Sequence, residues 1–295
     1  MRVLLTGASG FLGRYVLQSL QQQGIQTVVL GRHRPPSCLE ADFIQADLLA
    51  SPNLAALVQA SRATHLLHLA WYAEHGAYWT SPLNLRWVEA SVQLVEAFCA
   101  HGGQQVVMAG SCAEYDWSAG YCREDHTSLQ AATLYGTSKD ATRRLVMAIC
   151  AQQQVPCAWG RVFLPFGAGE AAQRLTPSLI AVFRGQRPAF GVNASAYRDF
   201  LHASDVAQAF VTLLTRGASG AFNLCSGQAT LLADLVRTLA NLLGADARAV
   251  LDLTTARPGE PHLLVGANDK LQALGWQPAL SLDQGLPRVV ESELP

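Results

Sequence analysis

The feature that most constrains this chain is a glycine-rich turn near the start of the sequence. The turn has the spacing G-x-x-G-x-x-G, follows a short apolar run at residues 3–5 and opens an amphipathic stretch at residues 11–23. Glycines at this spacing allow a tight turn and let the backbone approach a pyrophosphate, while the N-terminus of the next helix supplies free N–H groups and a positive dipole end. The sequence therefore predicts a dinucleotide-binding turn with contacts from Gly7, Ser9, Gly10, Phe11, Leu12 and Gly13.

Short apolar runs alternate with longer amphipathic ones through the first half of the chain. Strands are predicted at residues 3–5, 26–30, 43–44, 65–69, 105–108 and 156–163, and helices at residues 11–23, 83–101 and 134–153. This alternation is typical of βαβ units. The predicted fold class is therefore α/β, a Rossmann-type doubly wound parallel sheet with a smaller C-terminal α/β substrate-binding domain.

Beyond about residue 165 the pattern loosens, because glycine and proline recur there. Further helices are predicted at residues 204–215 and 230–243. We expect a dinucleotide-binding domain at residues 1–163, with a returning segment at about 197–223. Residues 164–196 and 224–295 are expected to form the substrate-binding domain.

Composition and charge exclude several classes of protein. A hydrophobic fraction of 50% and a charged fraction of 15% do not fit an intrinsically disordered chain. The net charge of −1, from 21 basic and 22 acidic residues, does not fit a nucleic-acid binder, and the apolar stretches fall short of the roughly 18 residues of a membrane span. Seven dispersed cysteines without a C-x-x-C pair indicate reduced thiols, a cytoplasmic protein and no metal site.

The residues after the second predicted strand bear on the choice of cofactor. A dinucleotide site normally has an acidic residue here that binds the ribose 2′-hydroxyl, whereas this chain has Gly31-Arg32-His33-Arg34. An arginine at this position accommodates a 2′-phosphate, so Arg32 and Arg34 favour NADP(H), with NAD(H) as the alternative. If both arginines are ordinary solvated loop charges, this preference disappears.

A candidate catalytic set follows the fifth predicted strand. Tyr135 and Lys139 are four residues apart in a predicted helix and therefore lie on the same face. An ammonium group near a phenol lowers the phenol pKa from its usual value of about 10, which would make Tyr135 a proton donor or acceptor beside a carbonyl or alcohol. Ser111, at the C-terminal end of the strand, lies where ligands of such sheets bind and can hydrogen-bond the same oxygen.

Together these motifs resemble the extended short-chain dehydrogenase/reductases of the NAD(P)-dependent epimerase/dehydratase family, which act on nucleotide sugars. The resemblance extends along nearly the whole chain through Gln45-Ala46-Asp47-Leu48, His68-Leu69-Ala70, Tyr135-Gly136-Thr137-Ser138-Lys139, Arg198-Asp199-Phe200-Leu201-His202, Arg257-Pro258-Gly259-Glu260 and Leu274-Gly275-Trp276-Gln277-Pro278. It implies further cofactor contacts from Asp47, Leu48, Leu69, Ala70, Trp71, Tyr135, Lys139 and Pro165. For a nucleotide-sugar substrate it implies contacts from Trp71, Cys112, Arg198 and Arg257, with Arg257 at the pyrophosphate.

The fold leaves the reaction open, since this family contains epimerases, dehydratases and reductases. Family dehydratases carry Thr-Asp-Glu where this chain has Ser111-Cys112-Ala113, which disfavours elimination of water. The apparent 2′-phosphate site favours a cofactor that arrives reduced and leaves oxidised. We therefore expect an NADPH-dependent reductase of a nucleotide-linked 4-keto-6-deoxysugar, with Tyr135 as proton donor. The alternatives are an NAD(P)-dependent nucleotide-sugar 4-epimerase and a non-catalytic NADP-binding redox sensor.

Two further expectations concern the substrate and the assembly. Leu164 stands where many family members have an asparagine at the sugar diphosphate, so a non-sugar carbonyl substrate stays open. Relatives often dimerise through two long helices, which predicts a homodimer through a four-helix bundle over residues 83–101 and 134–153. The apolar residues available for that contact, or for packing on the sheet, are Val88, Val92, Val95, Leu145 and Ile149.

Overall fold

The computed structural model describes residues 1–36, 38, 41–51, 53–256 and 259–292. The strands are β1 (Arg2–Thr6), β2 (Gln26–Gly31), β3 (Asp42–Gln45), β4 (His65–His68), β5 (Gln105–Ser111), β6 (Tyr121–Cys122), β7 (Cys157–Val162), β8 (Leu164–Phe166), β9 (Tyr197–Arg198), β10 (Phe200–His202), β11 (Gly220–Leu224), β12 (Thr230–Leu231) and β13 (Leu263–Gly266). The helices are α1 (Phe11–Gln22), α2 (Leu54–Ser61), α3 (Leu83–Ala100), α4 (Leu134–Gln152), α5 (Leu175–Phe183), α6 (Ala203–Thr215), α7 (Leu232–Leu242), α8 (Arg248–Leu251), α9 (Asp269–Gln272) and α10 (Leu282–Ser292).

A seven-stranded sheet organises the first half of the fold. Its strand order is β11-β7-β5-β4-β1-β2-β3, and every neighbouring pair is parallel, which confirms the predicted Rossmann-type α/β class. The chain runs from β1 outward to β3 and then crosses to β4 on the other side of β1. The carboxyl ends of β1 and β4 therefore flank the switch point at which such sheets bind ligands.

Helices cover both faces of this sheet because its central strands are apolar on both sides. Val3, Leu4 and Leu5 in β1 are all fully buried, as expected for a parallel strand between two helical layers. On one face α1 packs against α6, and on the other α3 packs beside α4. Each face of the sheet thus has its own hydrophobic core.

The remaining elements form a smaller C-terminal part. Strand β8 pairs with β10, and β12-β9-β13-β6 form a mixed four-stranded sheet. Helices α5, α7 and α10 enclose a separate core that contains Leu179, Leu235 and Leu286. The predicted domain boundaries stay a prediction.

Two general properties of the described residues complete the fold. None of their helices is both long enough and apolar enough to cross a bilayer. Nor do three or more of their His, Cys, Asp or Glu side chains gather in a group that could hold a metal ion.

Candidate active site

A deep cleft of about 1330 Å³ lies at the carboxyl edge of the seven-stranded sheet. Its floor is made by the glycine-rich turn and by the residues that follow β2, β4 and β5, and its opposite wall comes from segments around β8, α5 and β9. The predicted site residues that line this cleft are Gly7, Ser9, Gly10, Phe11, Leu12, Gly13, Arg32, Asp47, Leu48, Leu69, Ala70, Trp71, Ser111, Cys112, Tyr135, Lys139, Pro165 and Arg198.

The glycine-rich turn fits a phosphate group because its backbone leaves no room for side chains. Gly7 has a φ of +76°, and a Cβ there would lie 2.7 Å from the Ala70 amide nitrogen. A Cβ on Gly13 would collide with the Gly7 carbonyl oxygen, so glycine is needed for α1 to approach the turn. Helix α1 has no acidic side chain in its first turn, which leaves its N–H groups and dipole available to an anion.

The two arginines after β2 have different surroundings. Arg32 is exposed and lines the cleft, and its backbone carbonyl accepts a hydrogen bond from Gln45 Nε2 (3.1 Å). Arg34 donates from Nη1 to the Cys38 carbonyl oxygen (2.8 Å), and its guanidinium carbon lies 5.4 Å from the centroid of the Phe43 ring. Because Arg34 lies outside the cleft lining, the structure brings Arg32 to the site but not Arg34.

Ser111 and Tyr135 meet at the carboxyl end of the sheet. Ser111 is the last residue of β5, and Tyr135 lies in the first turn of α4, whose N-cap Thr133 accepts a hydrogen bond from the Gly136 N–H (3.1 Å). Ser111 lies near enough to Tyr135 to favour ionisation of the phenol, and both side chains line the cleft. Two hydroxyl groups thus converge on one point of the cleft, which is the arrangement needed to bind and protonate a single oxygen atom.

Lys139 lies one helical turn after Tyr135 and is buried. Its Nζ donates to the Ala109 carbonyl oxygen (2.8 Å) and lies 3.9 Å from the centroid of the Trp71 ring and 5.9 Å from that of Tyr135. Burial lowers the pKa of Lys139 to about 7, against an opposing effect of Glu114. At neutral pH the lysine is therefore present in both protonation states.

The pKa of Tyr135 is raised in this structure, and not lowered as the sequence predicts from the neighbouring Lys139. Burial raises the pKa of Tyr135 and outweighs the opposing effect of Ser111, and the neighbouring Tyr78 raises it further. The physical reason is that an ionised phenol would lose its hydration inside the cleft. Tyr135 is therefore protonated at neutral pH, which is the form that can donate a proton.

Asn84 ties an aromatic side chain of the cleft to the start of α3. Its buried amide accepts a hydrogen bond from Trp71 Nε1 (2.8 Å) and donates to the carbonyl oxygens of Tyr78 (2.7 Å) and Ser81 (2.9 Å). Tyr78 in turn packs edge-on against the Tyr135 ring, with 4.8 Å between the ring centroids. One side chain therefore fixes both Trp71 and the loop that contacts Tyr135.

Glu114 follows Ser111 by one turn of chain but is bound into the core. Its carboxylate accepts hydrogen bonds from Arg161 Nε (2.7 Å), Trp159 Nε1 (2.9 Å) and the Ser111 N–H (2.8 Å). The Glu114 side chain is 0% exposed and that of Arg161 only 1%. This carboxylate is therefore a structural partner of Arg161 rather than the acid or base of an elimination reaction.

The substrate side of the cleft carries several arginines. Arg198 lines the cleft and forms an ion pair with Glu260 (Nη2 to Oε1, 2.8 Å). Arg174 and Arg187 line it as well, and guanidinium groups of this kind suit the oxygens of a diphosphate. Arg257, which was predicted to contact the pyrophosphate, lies outside the described residues.

The sequence analysis missed Trp117 as a site residue. Its ring lines the cleft, its Nε1 donates to the Cys112 carbonyl oxygen (2.9 Å), and it meets the Trp79 ring edge-on at 6.2 Å between centroids. The sequence feature that could have pointed to Trp117 is its position between two predicted site residues, Ser111 and Tyr135.

The fold and the site together define a class of protein. A doubly wound parallel sheet, a glycine-rich turn at its switch point and a Ser-Tyr-Lys set in the adjacent cleft are the features of an extended short-chain dehydrogenase/reductase. The model of the NAD dependent epimerase/dehydratase family matches residues 3–225. The chain therefore belongs to the NAD dependent epimerase/dehydratase family and is an enzyme.

Relatives of this enzyme act on nucleotide sugars. The UDP-glucose 4-epimerase of Azospirillum brasilense is 25% identical over 317 residues, which cover 97% of this chain and 90% of the relative. The dTDP-D-glucose 4,6-dehydratase of Mus musculus is 22% identical over 312 residues, which cover 98% and 88%. Among solved structures, MoeE5 in complex with UDP-glucuronic acid and NAD has a TM-score of 0.85 and 26% identity, covering 99% of this chain and 98% of its own.

Proposed function

We propose that this enzyme uses NADPH to reduce the keto group of a nucleotide-linked 4-keto-6-deoxysugar. When bound, NADPH supplies the hydride that the C4 carbon receives. Tyr135 donates its phenolic proton to the C4 oxygen, so the ketone becomes an alcohol, and Ser111 hydrogen-bonds the same oxygen. Lys139, as the ammonium, binds the nicotinamide ribose and stabilises the phenolate that the proton transfer leaves on Tyr135.

The observation that carries the preference for NADPH is the placement of Arg32. Its side chain is exposed at the carboxyl end of β2 and lines the cleft. Within the described part of the chain, no ion pair engages this guanidinium. A free guanidinium at this position suits a ribose 2′-phosphate, and a cofactor so selected is one that is consumed and exchanged in each turnover.

The test compares Arg32→Ala with Arg34→Ala, which removes the same charge outside the cleft. Charge-assisted hydrogen bonds contribute about 1.5–3 kcal/mol, so Arg32→Ala should weaken NADPH binding by roughly 10- to 100-fold and leave NADH binding unchanged. Arg34→Ala should change neither affinity. Calorimetric titration of both cofactors measures this, and wild-type protein that binds NADH more tightly than NADPH would overturn the proposal.

The catalytic role of Tyr135 is tested separately. General acid catalysis contributes about 10²–10⁴ in rate, so Tyr135→Phe should lower the rate of NADPH consumption by that factor with the 4-keto-6-deoxy product of a dTDP-glucose 4,6-dehydratase as substrate. NADPH binding should be retained, because the phenol oxygen acts on the sugar. Unchanged biological activity in this variant would instead support the redox sensor.

A 4-epimerase is the second candidate, because relatives that span nearly this whole chain carry that activity. An epimerase returns its hydride to the sugar and has no net need of reduced cofactor. The two candidates separate on purified protein. Stoichiometric bound NAD, with conversion of UDP-glucose to UDP-galactose and no consumption of NADPH, would establish the epimerase and exclude the reductase.

We also propose that the enzyme forms a homodimer through α3 and α4. Val88, Val92 and Leu145 line an apolar groove between these helices, and the Leu145 side chain is 47% exposed. Of the other residues considered for this contact, Val95 is buried in the core beneath the helices, and Ile149 is half-buried against that core. Exposed apolar grooves of this kind mark association surfaces.

Sedimentation analysis tests the dimer. Leu145→Glu should convert the protein to monomer, whereas Leu242→Glu, an equally apolar exposed position on α7 (42% exposed), should not. A monomeric wild-type protein at micromolar concentration would disprove the dimer.

The cytoplasm, where nucleotide sugars and NADPH are made, is the compartment in which we propose that the enzyme acts.

A further inference from the structure

Aromatic rings pack around Tyr135 at the wall of the cleft. The centroid of the Tyr78 ring lies 4.8 Å from that of Tyr135, and the centroid of the Trp79 ring lies 5.8 Å from it, both edge-on. The Trp117 ring continues this surface, and its centroid lies 6.2 Å from the centroid of the Trp79 ring. All of them line the cleft, and we call Tyr78, Trp79 and Trp117 the aromatic wall.

The polar atoms of this aromatic wall are largely engaged with the protein. Trp117 Nε1 donates to the Cys112 carbonyl oxygen (2.9 Å). Arg174 lies near the Tyr78 hydroxyl and acts to lower its pKa, and Trp79 accepts the Tyr135 N–H on its backbone carbonyl (3.1 Å). Because its N–H is engaged in this way, Trp117 presents mainly ring carbon to the cleft.

Two neighbouring residues make the same region more apolar. Leu164 lines the cleft at the start of β8 and packs against the cluster that contains Cys112 and Phe163. Burial raises the pKa of the Cys112 thiol, so this side chain is a neutral, weak hydrogen-bonding group. A sugar hydroxyl placed here would leave water without gaining a strong partner, whereas a methyl group would gain contact area.

We propose that Trp79 and Trp117 are specificity-determining residues that receive the C6 methyl group of a 6-deoxyhexose and select against a C6 hydroxyl. The assignment rests on the proposed function in one respect, that the reacting C4 oxygen lies at Ser111 and Tyr135. The substituent on the adjacent C5 is then directed toward Trp79, which contacts the Tyr135 ring, and toward Trp117 beside it. An apolar pocket of this kind discriminates by roughly 10- to 100-fold.

Binding rather than turnover tests this proposal. The protein loaded with NADP⁺ is titrated calorimetrically with dTDP-glucose and with dTDP-6-deoxyglucose, which differ in the C6 oxygen alone, and then with the same pair of sugars on UDP. With the nucleotide that binds more tightly, the 6-deoxy sugar should bind about 10- to 100-fold better than the hydroxylated one.

Substitutions at Trp117 assign this discrimination to the aromatic wall. Trp117→Gln offers an amide to the C6 hydroxyl and should reduce the ratio of the two affinities to below about threefold, mainly through tighter binding of the hydroxylated sugar. Trp117→Phe keeps a ring and should retain most of the ratio. Tyr121→Gln makes a matched aromatic-to-amide change at an exposed site outside the cleft and should leave the ratio unchanged. Thermal unfolding of each variant checks that it is folded.

The outcomes separate this proposal from the proposed function. Equal affinities for the two sugars, no binding of either pair, or an unchanged ratio in folded Trp117→Gln would each overturn the role of the aromatic wall, even if the protein proves to be a reductase. A ratio that is large in the wild type and lost in Trp117→Gln would support the role, even if the reaction proves to be epimerisation.

Discussion

Arg161 and Lys139 are both buried close to Glu114, and their surroundings differ. Arg161 donates from Nε to Glu114 (2.7 Å) and from Nη1 to the Tyr115 hydroxyl (3.0 Å). Burial acts to lower the pKa of Arg161, but Glu114 and Tyr115 outweigh it, and the pKa is raised. Lys139 has a backbone carbonyl and the face of Trp71 instead of a paired carboxylate, and burial lowers its pKa to about 7.

The difference shows how the Glu114 carboxylate can stabilise the fold by pairing with Arg161 and leave the nearby Lys139 free of a carboxylate partner. The guanidinium forms several fixed hydrogen bonds, so its charge is compensated and permanent. The Lys139 ammonium is buried at the wall of the cleft without a paired carboxylate, and this burial costs free energy in the absence of ligand. Such a cation is suited to bind a ligand hydroxyl and to respond to charge on Tyr135.

The largest effect is expected from Glu114→Gln, which leaves Arg161 charged and unpaired in the core. Breaking a buried ion pair typically costs about 3–5 kcal/mol, so the free energy of unfolding in urea should fall by that amount. The double variant Glu114→Gln/Arg161→Met should recover most of the loss. A loss below about 1 kcal/mol in the single variant would mean that the pair does not stabilise the fold.

A smaller effect is expected from Lys139→Met in the absence of ligand. The pKa of Lys139 is about 7 in the folded chain and 10.5 as the ordinary value, so between these pH values the unfolded chain binds more protons and stability rises with pH. The methionine variant has no amine to titrate at this position and therefore lacks this dependence of stability on pH. It should be more stable than the wild type at pH 7, and the difference in unfolding free energy should shrink by about 2 kcal/mol by pH 9. A difference that is independent of pH would contradict the lowered pKa.

The smallest effect is expected from Trp71→Leu, which removes the ring that faces the lysine ammonium. A cation–π contact contributes about 0.5–2 kcal/mol, and its loss disfavours the charged form. The pKa of Lys139 should therefore fall, and the alkaline limb of the kcat/KM profile should move to lower pH by about 0.4 to 1.5 units. Trp71→Phe should show a smaller shift, and a limb that moves to higher pH would exclude the role of the ring.

Local sequence predicted the cofactor half of the fold well. Strand β1, helix α1 and strand β2 begin and end within about two residues of the expectation, because the glycine turn and Gly24 mark their limits. Helix α2 was not predicted in this half, and α5 and α10 were missed beyond it, since Pro177 and Pro287 interrupt their helical pattern. Pro177 lies in the first turn of α5, where the N–H that it lacks has no intrahelical partner, whereas Pro287 lies inside α10.

At the candidate site, the properties that the sequence did not predict depend on contacts that form only in the folded chain. The sequence could not separate Arg32 from Arg34, because the difference depends on which loop carbonyls each guanidinium reaches. It could not predict the rise in the pKa of Tyr135, which depends on burial by side chains distant in sequence. The place of Trp117 likewise follows from tertiary packing, because its ring lies against a cluster that contains Cys112 and Phe163.

The seven-stranded sheet receives its last strand, β11, only after the chain has left the sheet at β7 and passed through β8, α5, β9, β10 and α6. During synthesis β7 therefore keeps an open edge, and α1 lacks the cover of α6, until residue 224 has left the ribosome. A polypeptide truncated at residue 163 would expose that edge and an apolar helical face together. Such a fragment is expected to aggregate rather than to fold alone. The cofactor-binding part of the cleft therefore depends for its folding on residues that follow part of the substrate-binding side in the chain.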